Sequence, residues 1–372
     1  MISLATTAIG WLILVVSIFG WVIYYFANRN AARPELGSEI ELAPNRRPYY
    51  DDETLEGSRL TRVNLIGVLL LVTMVIGLPV YWVLEPGRQA GAVSLKEETF
   101  VGWGSDLFET TANGGFNCAG CHGGMKAVGG QAPTAVTDPK TGEVRAVNWY
   151  APALNTVLYR FSGEEVQFIL NYGRTFSPMS AWGTVGGGPM NAQQIQTIIA
   201  YLRSIQLPPE GCLTEPAFAT VSDLTDLTPL RLCDGGTLPD VERTKIEKSA
   251  TVAAQKLVDA GKYPTVDRAM GEALFNLDIN SGAYSCARCH TEGWSYQSPG
   301  VPGQGAFGWN LTAGSTNSHV PSEQDMIDFI KSGSDIGQRY GRQAQGTGRM
   351  PGFRGLLSDE QIKAIVEYVR SL

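Results

Sequence analysis

Two uninterrupted apolar runs precede Arg88, and the rest of the chain alternates short amphipathic segments with polar stretches rich in glycine and proline. The first run, Leu4 to Phe26, holds no charged residue. As a helix it spans about 34 Å at ~1.5 Å per residue, enough to cross a hydrocarbon core of ~30 Å. The second run, from about Asn64 to Leu84, contains Pro79, which membrane helices tolerate. The pattern predicts a transmembrane hairpin of helices at about 4–26 and 64–84 within an anchoring segment 1–90. A cleaved signal peptide is the alternative for the first run, but no Lys or Arg precedes it and its length exceeds the ~7–15 apolar residues of such a peptide. Downstream, helical periodicity marks Ala192 to Ile205, roughly Val241 to Ala260, and Ser358 to the C-terminus.

Charge sets the expected orientation. The polar stretch between the runs carries Arg29, Arg33, Arg46, Arg47, Arg59 and Arg62. The positive-inside rule makes it cytoplasmic and puts the N-terminus and everything after Leu84 outside, in contact with membrane lipid only through the hairpin. Tyr81 and Trp82 then fall at the outer interface, and Trp21, Tyr24 and Tyr25 at the inner one. At 372 residues the chain has room for two or three domains. A net charge of −7 offers no basic footprint for a phosphate backbone, which excludes a nucleic-acid role.

The chemistry is concentrated in two pentads, Cys118-Ala-Gly-Cys121-His122 and Cys286-Ala-Arg-Cys289-His290. In Cys-x-x-Cys-His the two thiols add across the vinyl groups of a haem and the adjacent imidazole becomes an iron ligand. A zinc site and a thioredoxin-like dithiol are the alternatives. The first wants further ligands, and only Cys212, Cys233 and His319 remain among six Cys and three His. The second sits in a βαβ pattern, which the periodicity does not offer. Two haem c groups are therefore the expected cofactors.

Each iron needs a sixth ligand, and a methionine thioether is the common partner in electron-transfer cytochromes. Met179, in Ser177-Pro178-Met179-Ser180, and Met350, in Gly348-Arg349-Met350-Pro351, each precede a terminal amphipathic helix. Met190 competes with Met179, and His319 with Met350, although His319 precedes Val320-Pro321 and a Ser322 N-cap and reads better as a loop histidine. Met125 lies too near His122 to reach the opposite face of a ring, and Met270 and Met326 fall on helical patterns that suit core positions. Arg174 and Arg349 flank the two methionine segments, where a guanidinium either pairs with a haem propionate or is simply solvated.

Each half resembles a class I cytochrome c domain. The first runs from the Cys118 pentad through Pro152-Ala-Leu154 and Met179 to a helix ending Ile198-Ile199-Ala200-Tyr201-Leu202; the second runs from Gly271-Glu-Ala-Leu-Phe275 through the Cys286 pentad and Met350 to Ile365-Val366-Glu367-Tyr368-Val369. The resemblance implies an all-α fold, with cytochrome domains at 91–205 and 264–372 behind the transmembrane hairpin. It implies that Tyr201 and Tyr368 lie where first and last helices cross, and that the Pro152 carbonyl accepts from the proximal imidazole. It also implies electron transfer and no bond chemistry by the chain itself. Tandem domains of this kind resemble the dihaem subunit of bcc-type menaquinol:cytochrome c reductases and that of cbb-type oxidases. The expected partners are thus cytochrome b and an iron–sulfur protein, or an oxidase, with the reductase or a reductase–oxidase assembly favoured. A dihaem peroxidase with one five-coordinate iron is the enzymatic alternative.

The segment 206–263 connects the halves and holds Cys212 and Cys233, the two thiols haem attachment does not use. In an oxidising compartment the pair predicts a disulfide worth ~3 kcal/mol on chain-entropy grounds; free buried thiols are the alternative.

Overall fold

The computed structural model describes residues 12, 15–16, 18–27, 56–137, 142–174, 177–213, 226–227, 230–277, 286–290, 308–334 and 350–372. The start of the first predicted span, Arg29, Arg33, Arg46 and Arg47 of the polar stretch, and Arg349 lie outside them. The chain divides into two units, Met1–Leu95 and Lys96–Leu372.

In the first unit the apolar runs lie in helix α1, Ile18–Ala27, and in helix α2, Ser58–Phe108. Among the described residues α2 alone is long and apolar enough to cross a membrane, and its most apolar stretch is entirely unburied. One long apolar helix near the N-terminus is compatible with membrane anchoring. The helix is far longer than the stretch expected at 64–84 and runs through both Pro79 and Pro86. Its last turns, from Lys96, belong to the second unit, where Phe100, Gly104 and Phe108 are buried at four-residue spacing. That stripe packs on other helices of the second unit.

The second unit is mostly helical, but it is not all-α. After the one-turn helix α3, Cys118–His122, strands β1, Gly130–Thr137, and β2, Val144–Ala151, pair antiparallel from Gly130↔Ala151 to Thr137↔Val144. The expectation of an all-α fold is corrected here. Thr134 and Val136 on one side, and Val144, Val147 and Trp149 on the other, are β-formers, and Asp138-Pro139-Lys140-Thr141-Gly142 between them is rich in turn residues.

The remaining helices are α4, Gly163–Tyr172; α5, Ala192–Ser204; α6, Asp240–Asp259; α7, Val266–Phe275; α8, Ala287–His290; α9, Ser315–His319; α10, Glu323–Ser332; and α11, Asp359–Arg370. Reciprocal capping boxes start α4 (Ser162 and Glu165), α5 (Asn191 and Gln194) and α11 (Ser358 and Gln361). Each cap is worth about 1 kcal/mol.

Among the described residues the two larger of three apolar cores are built on these helices. One gathers Phe108, Ile195, Ile198, Tyr201 and Leu202 from α2 and α5; the other gathers Leu274, Phe275, Ile362, Ile365 and Tyr368 from α7 and α11. At ~1.5–3 kcal/mol for each large side chain removed from water, these contacts dominate the stability of the unit. The same helix crossing recurs in both. The α-carbon of Gly104 faces the Thr197 carbonyl and Tyr201 Cβ, and that of Gly271 faces the Ala364 carbonyl and Tyr368 Cβ. Four residues beyond each glycine a phenylalanine meets the tyrosine, at ring-centroid distances of 5.1 Å for Phe108–Tyr201 and 5.3 Å for Phe275–Tyr368. A backbone-to-backbone approach this close leaves no room for any side chain but hydrogen.

Candidate functional site

The first pentad forms α3, so Cys118 and Cys121 are one turn apart on the same side and His122 closes the helix. His122 is buried, and its Nδ1 donates to the Pro152 carbonyl just beyond β2 at 2.8 Å. That bond fixes the ring and leaves Nε2 as the free lone pair, the arrangement a metal-bound imidazole requires. Burial also pushes the His122 pKa down, favouring the neutral, ligating form. A Cβ on Gly123 would strike the carbonyl group of Gly129, so the chain leaving the histidine folds back tightly on itself.

The second pentad repeats this geometry. Cys286 precedes α8, and His290 Nδ1 donates to the Trp309 carbonyl at 2.8 Å. A Cβ on Gly308 would lie 2.7 Å from both His290 Nδ1 and the Cys289 carbonyl oxygen, so this wall is moulded to the imidazole. Burial lowers the His290 pKa as well. The four pentad thiols form no disulfide. Burial raises the pKa of all of them, to about 12 at Cys118 and Cys286. A redox-active dithiol needs the opposite, a depressed thiol. Among the described residues no three His, Cys, Asp or Glu side chains come together as a metal cluster.

Two thiols one turn apart, beside an imidazole whose Nε2 is left free, fit covalent attachment of a c-type haem at each pentad. Residues 271–369 match the family model described as "Cytochrome C oxidase, cbb3-type, subunit III". This segment is a c-type cytochrome domain. The match begins at the crossing glycine of α7 and ends in α11, enclosing the second pentad and Met350. No curated protein and no solved structure matches the chain.

In the cytochrome segment, α10 ends at Gly333, whose φ of 76° and close approach to the Met350 carbonyl oxygen, 2.5 Å from a Cβ, both demand glycine. The next residue, Ser334, donates its backbone N–H to that same carbonyl at 3.0 Å. The first half has the same arrangement. α4 ends at Gly173, with φ 71° and the Met179 carbonyl oxygen 2.5 Å from a Cβ, and Arg174 N–H donates to Met179 at 2.8 Å. Met179 and Met350 therefore hold equivalent positions, and both are partly buried. Met190 differs. It is 1 % exposed in the core beside Ile195 and Ile198, with its backbone bonded to Trp182 and Thr184.

His319 ends α9 and stacks on Trp309, ring centroids 4.6 Å apart and nearly parallel at 18°. Arg174 lies over the Phe161 ring at 5.2 Å, and burial lowers its pKa, so it is no simple solvated loop residue. Cys212 and Cys233 are joined as a disulfide with Cα atoms 5.6 Å apart. Sequence reasoning did not single out Trp309, Arg160 or Arg288. The carbonyl role of Trp309 carries no side-chain signature, and arginine is common enough that only its burial marks it.

Proposed function

We propose that the chain is a membrane-anchored dihaem cytochrome c that carries electrons on the outer face of an energy-transducing membrane. In this reading residues 1–90 anchor it, 91–205 and 264–372 are the two cytochrome domains, and 206–263 links them. Haem is attached at Cys118 and Cys121 and at Cys286 and Cys289, with His122 and His290 as proximal ligands and Met179 and Met350 as distal ones. The observation that supports the second haem most strongly is the recurrence of one contact set. It comprises the crossing glycine with its Phe–Tyr pair, the carbonyl-held imidazole, and the helix-ending glycine seated on a methionine carbonyl. Because one copy lies in the matched segment, the other is read as its equivalent.

Bound haem supplies a one-electron ferric/ferrous couple at each site. The Pro152 and Trp309 carbonyls fix the two imidazoles, burial favours their neutral form, and Met179 and Met350, each on a glycine-anchored segment, would supply the thioethers that hold the group. Were His122 and Met179, and His290 and Met350, to hold the two irons, neither would offer a position to a substrate, which favours electron transfer over catalysis. The family description of the matched segment supports placement beside an oxidase, which brings the terminal-oxidase subunit level with the reductase subunit favoured on sequence. Intact mass of the acid-acetone-stripped polypeptide is expected to show two covalent macrocycles, and one or none defeats the proposal. Gentle detergent extraction separates the two hosts: oxidase subunits co-purify in one case, cytochrome b and an iron–sulfur protein in the other.

A further inference from the structure

The four-residue segment Tyr150–Ala153 joins the two pentads through the Tyr150 and Pro152 carbonyl groups. Pro152 O accepts from His122 Nδ1 at 2.8 Å. Two residues earlier, Tyr150 O accepts from an Nη of Arg288 at 3.1 Å. One residue later, Ala153 O accepts from an Nη of Arg160 at 2.9 Å. Arg288 is the central residue of the other pentad, Cys286-Ala287-Arg288-Cys289-His290. Its guanidinium also covers the Tyr150 ring, 5.3 Å from the centroid. Arg160 and Arg288 are each 8 % exposed, and both stand close enough to act electrostatically on the His122 ring.

A guanidinium keeps its charge on burial, and that charge reaches farther in the interior than at the surface. We infer that Arg288, although it belongs to the second pentad, is a positioning residue of the first centre, acting together with Arg160 on the segment that holds His122. The inference rests on the reading of both pentads as haem sites. Its consequence is electrical. Two buried positive charges behind the proximal ligand disfavour the ferric state of the first iron relative to the ferrous, so they raise its potential. The two centres are then not independent, because a residue of one pentad sets the midpoint of the other.

A unit charge roughly 12 Å from an iron in an effective dielectric of about 20 changes the oxidised-to-reduced ratio about tenfold. That is ~59 mV for one electron. The test is an optical redox titration of the full haem-loaded chain in detergent, with intact mass counting the covalent macrocycles of every variant. Met179→Ala, by moving the midpoint of its own site, identifies which wave belongs to the first centre. Arg288→Gln keeps a hydrogen-bond donor and removes the charge; with two macrocycles retained, it is expected to lower the first centre's midpoint by about tenfold in ratio. Arg288→Lys keeps the charge and is expected to hold the midpoint within about twofold. Arg160→Gln, outside both pentads, carries the same expectation as Arg288→Gln and serves if the latter does not mature. A neutral variant with both macrocycles and an unmoved first midpoint overturns the inference, as do equal losses with Lys and Gln. Fewer than two macrocycles in the unsubstituted chain overturns the dihaem reading instead, so the two failures are told apart.

Discussion

The helix crossing of the cytochrome segment gives a prediction whose sign reverses between two glycines of similar local sequence preference. In Gly271→Ala the new Cβ would lie 2.7 Å from Tyr368 Cβ and 2.9 Å from the Ala364 carbonyl carbon, besides striking its oxygen. Carbon pairs are at rest at roughly 3.5–4.0 Å, so α7 and α11 must separate by about 1 Å. The obstacle is helix backbone, which cannot rotate away as a side chain does. Overpacking of this kind costs about 1–3 kcal/mol, and opening the crossing also loosens Phe275 from Tyr368. Against this stands the helix-propensity gain of Ala over Gly, about 1 kcal/mol.

Gly102 in α2 isolates that gain. It is exposed, and a Cβ there would meet nothing within 4 Å, so Gly102→Ala is expected to stabilise by about 0.5–1 kcal/mol. Thermal unfolding of the detergent-solubilised chain, followed by circular dichroism, reads both. At ~2–4 °C per kcal/mol for a unit of this size, Gly271→Ala should melt several degrees lower and Gly102→Ala a few degrees higher. If the two alanines shift the midpoint in the same direction, the crossing is not the close backbone contact described above.

Met179→Ala and Met350→Ala should each lower one reduction potential and abolish the long-wavelength charge-transfer band of a methionine-ligated ferric haem. Met190→Ala should leave both potentials in place while destabilising the core by about 2–5 kcal/mol, as a buried large-to-small change does; redox titration beside thermal unfolding separates these outcomes. Replacing Cys212 and Cys233 by Ala together opens a cross-link between residues 21 apart in sequence and should lower unfolding stability by ~3 kcal/mol, seen as an earlier thermal midpoint with haem content unchanged.

Legibility in the sequence followed the kind of constraint involved. The pentads and the terminal helices were readable because covalent haem chemistry and helical periodicity both act on side-chain identity at fixed spacing, whereas the aromatic at each crossing came only from the resemblance to cytochrome c domains. The strand pair Gly130–Thr137 and Val144–Ala151 was missed although its signal was present, because the resemblance to an all-α domain took precedence over a local run of Thr and Val. The length of α2 was missed for a different reason. The apolar run ends at Leu84, and the helix continues through a less apolar stretch to Phe108, where Phe100, Gly104 and Phe108 are buried against distant chain, packing that the apolar run does not reveal. Trp309 lies beyond sequence reasoning altogether, since it holds His290 through a main-chain carbonyl that any residue possesses.

The two halves agree at their contacts and disagree in the chain between them, and the difference makes the methionines unequal. From the anchoring N–H to the methionine is five residues in the first half, Arg174 to Met179, and sixteen in the second, Ser334 to Met350. Closure entropy grows as (3/2)RT ln n, so the longer return costs about 1 kcal/mol more to order. The glycine seat and the main-chain anchoring bond recur in both halves, while Met350 N–H also donates to Ser334 Oγ at 2.9 Å and Met179 N–H to Ser177 Oγ at 3.2 Å. On the proposed dihaem reading, Met350 should therefore be displaced from its iron about sixfold more readily than Met179. Titrating the ferric protein with imidazole and watching the two charge-transfer bands measures this directly. Displacement should occur first at the centre that Met350→Ala has already removed from the spectrum. Displacement in the reverse order, or a single isotherm for both centres, would mean that contacts along the longer return more than offset its entropy, and that the shared glycine–methionine seat does not govern ligand strength.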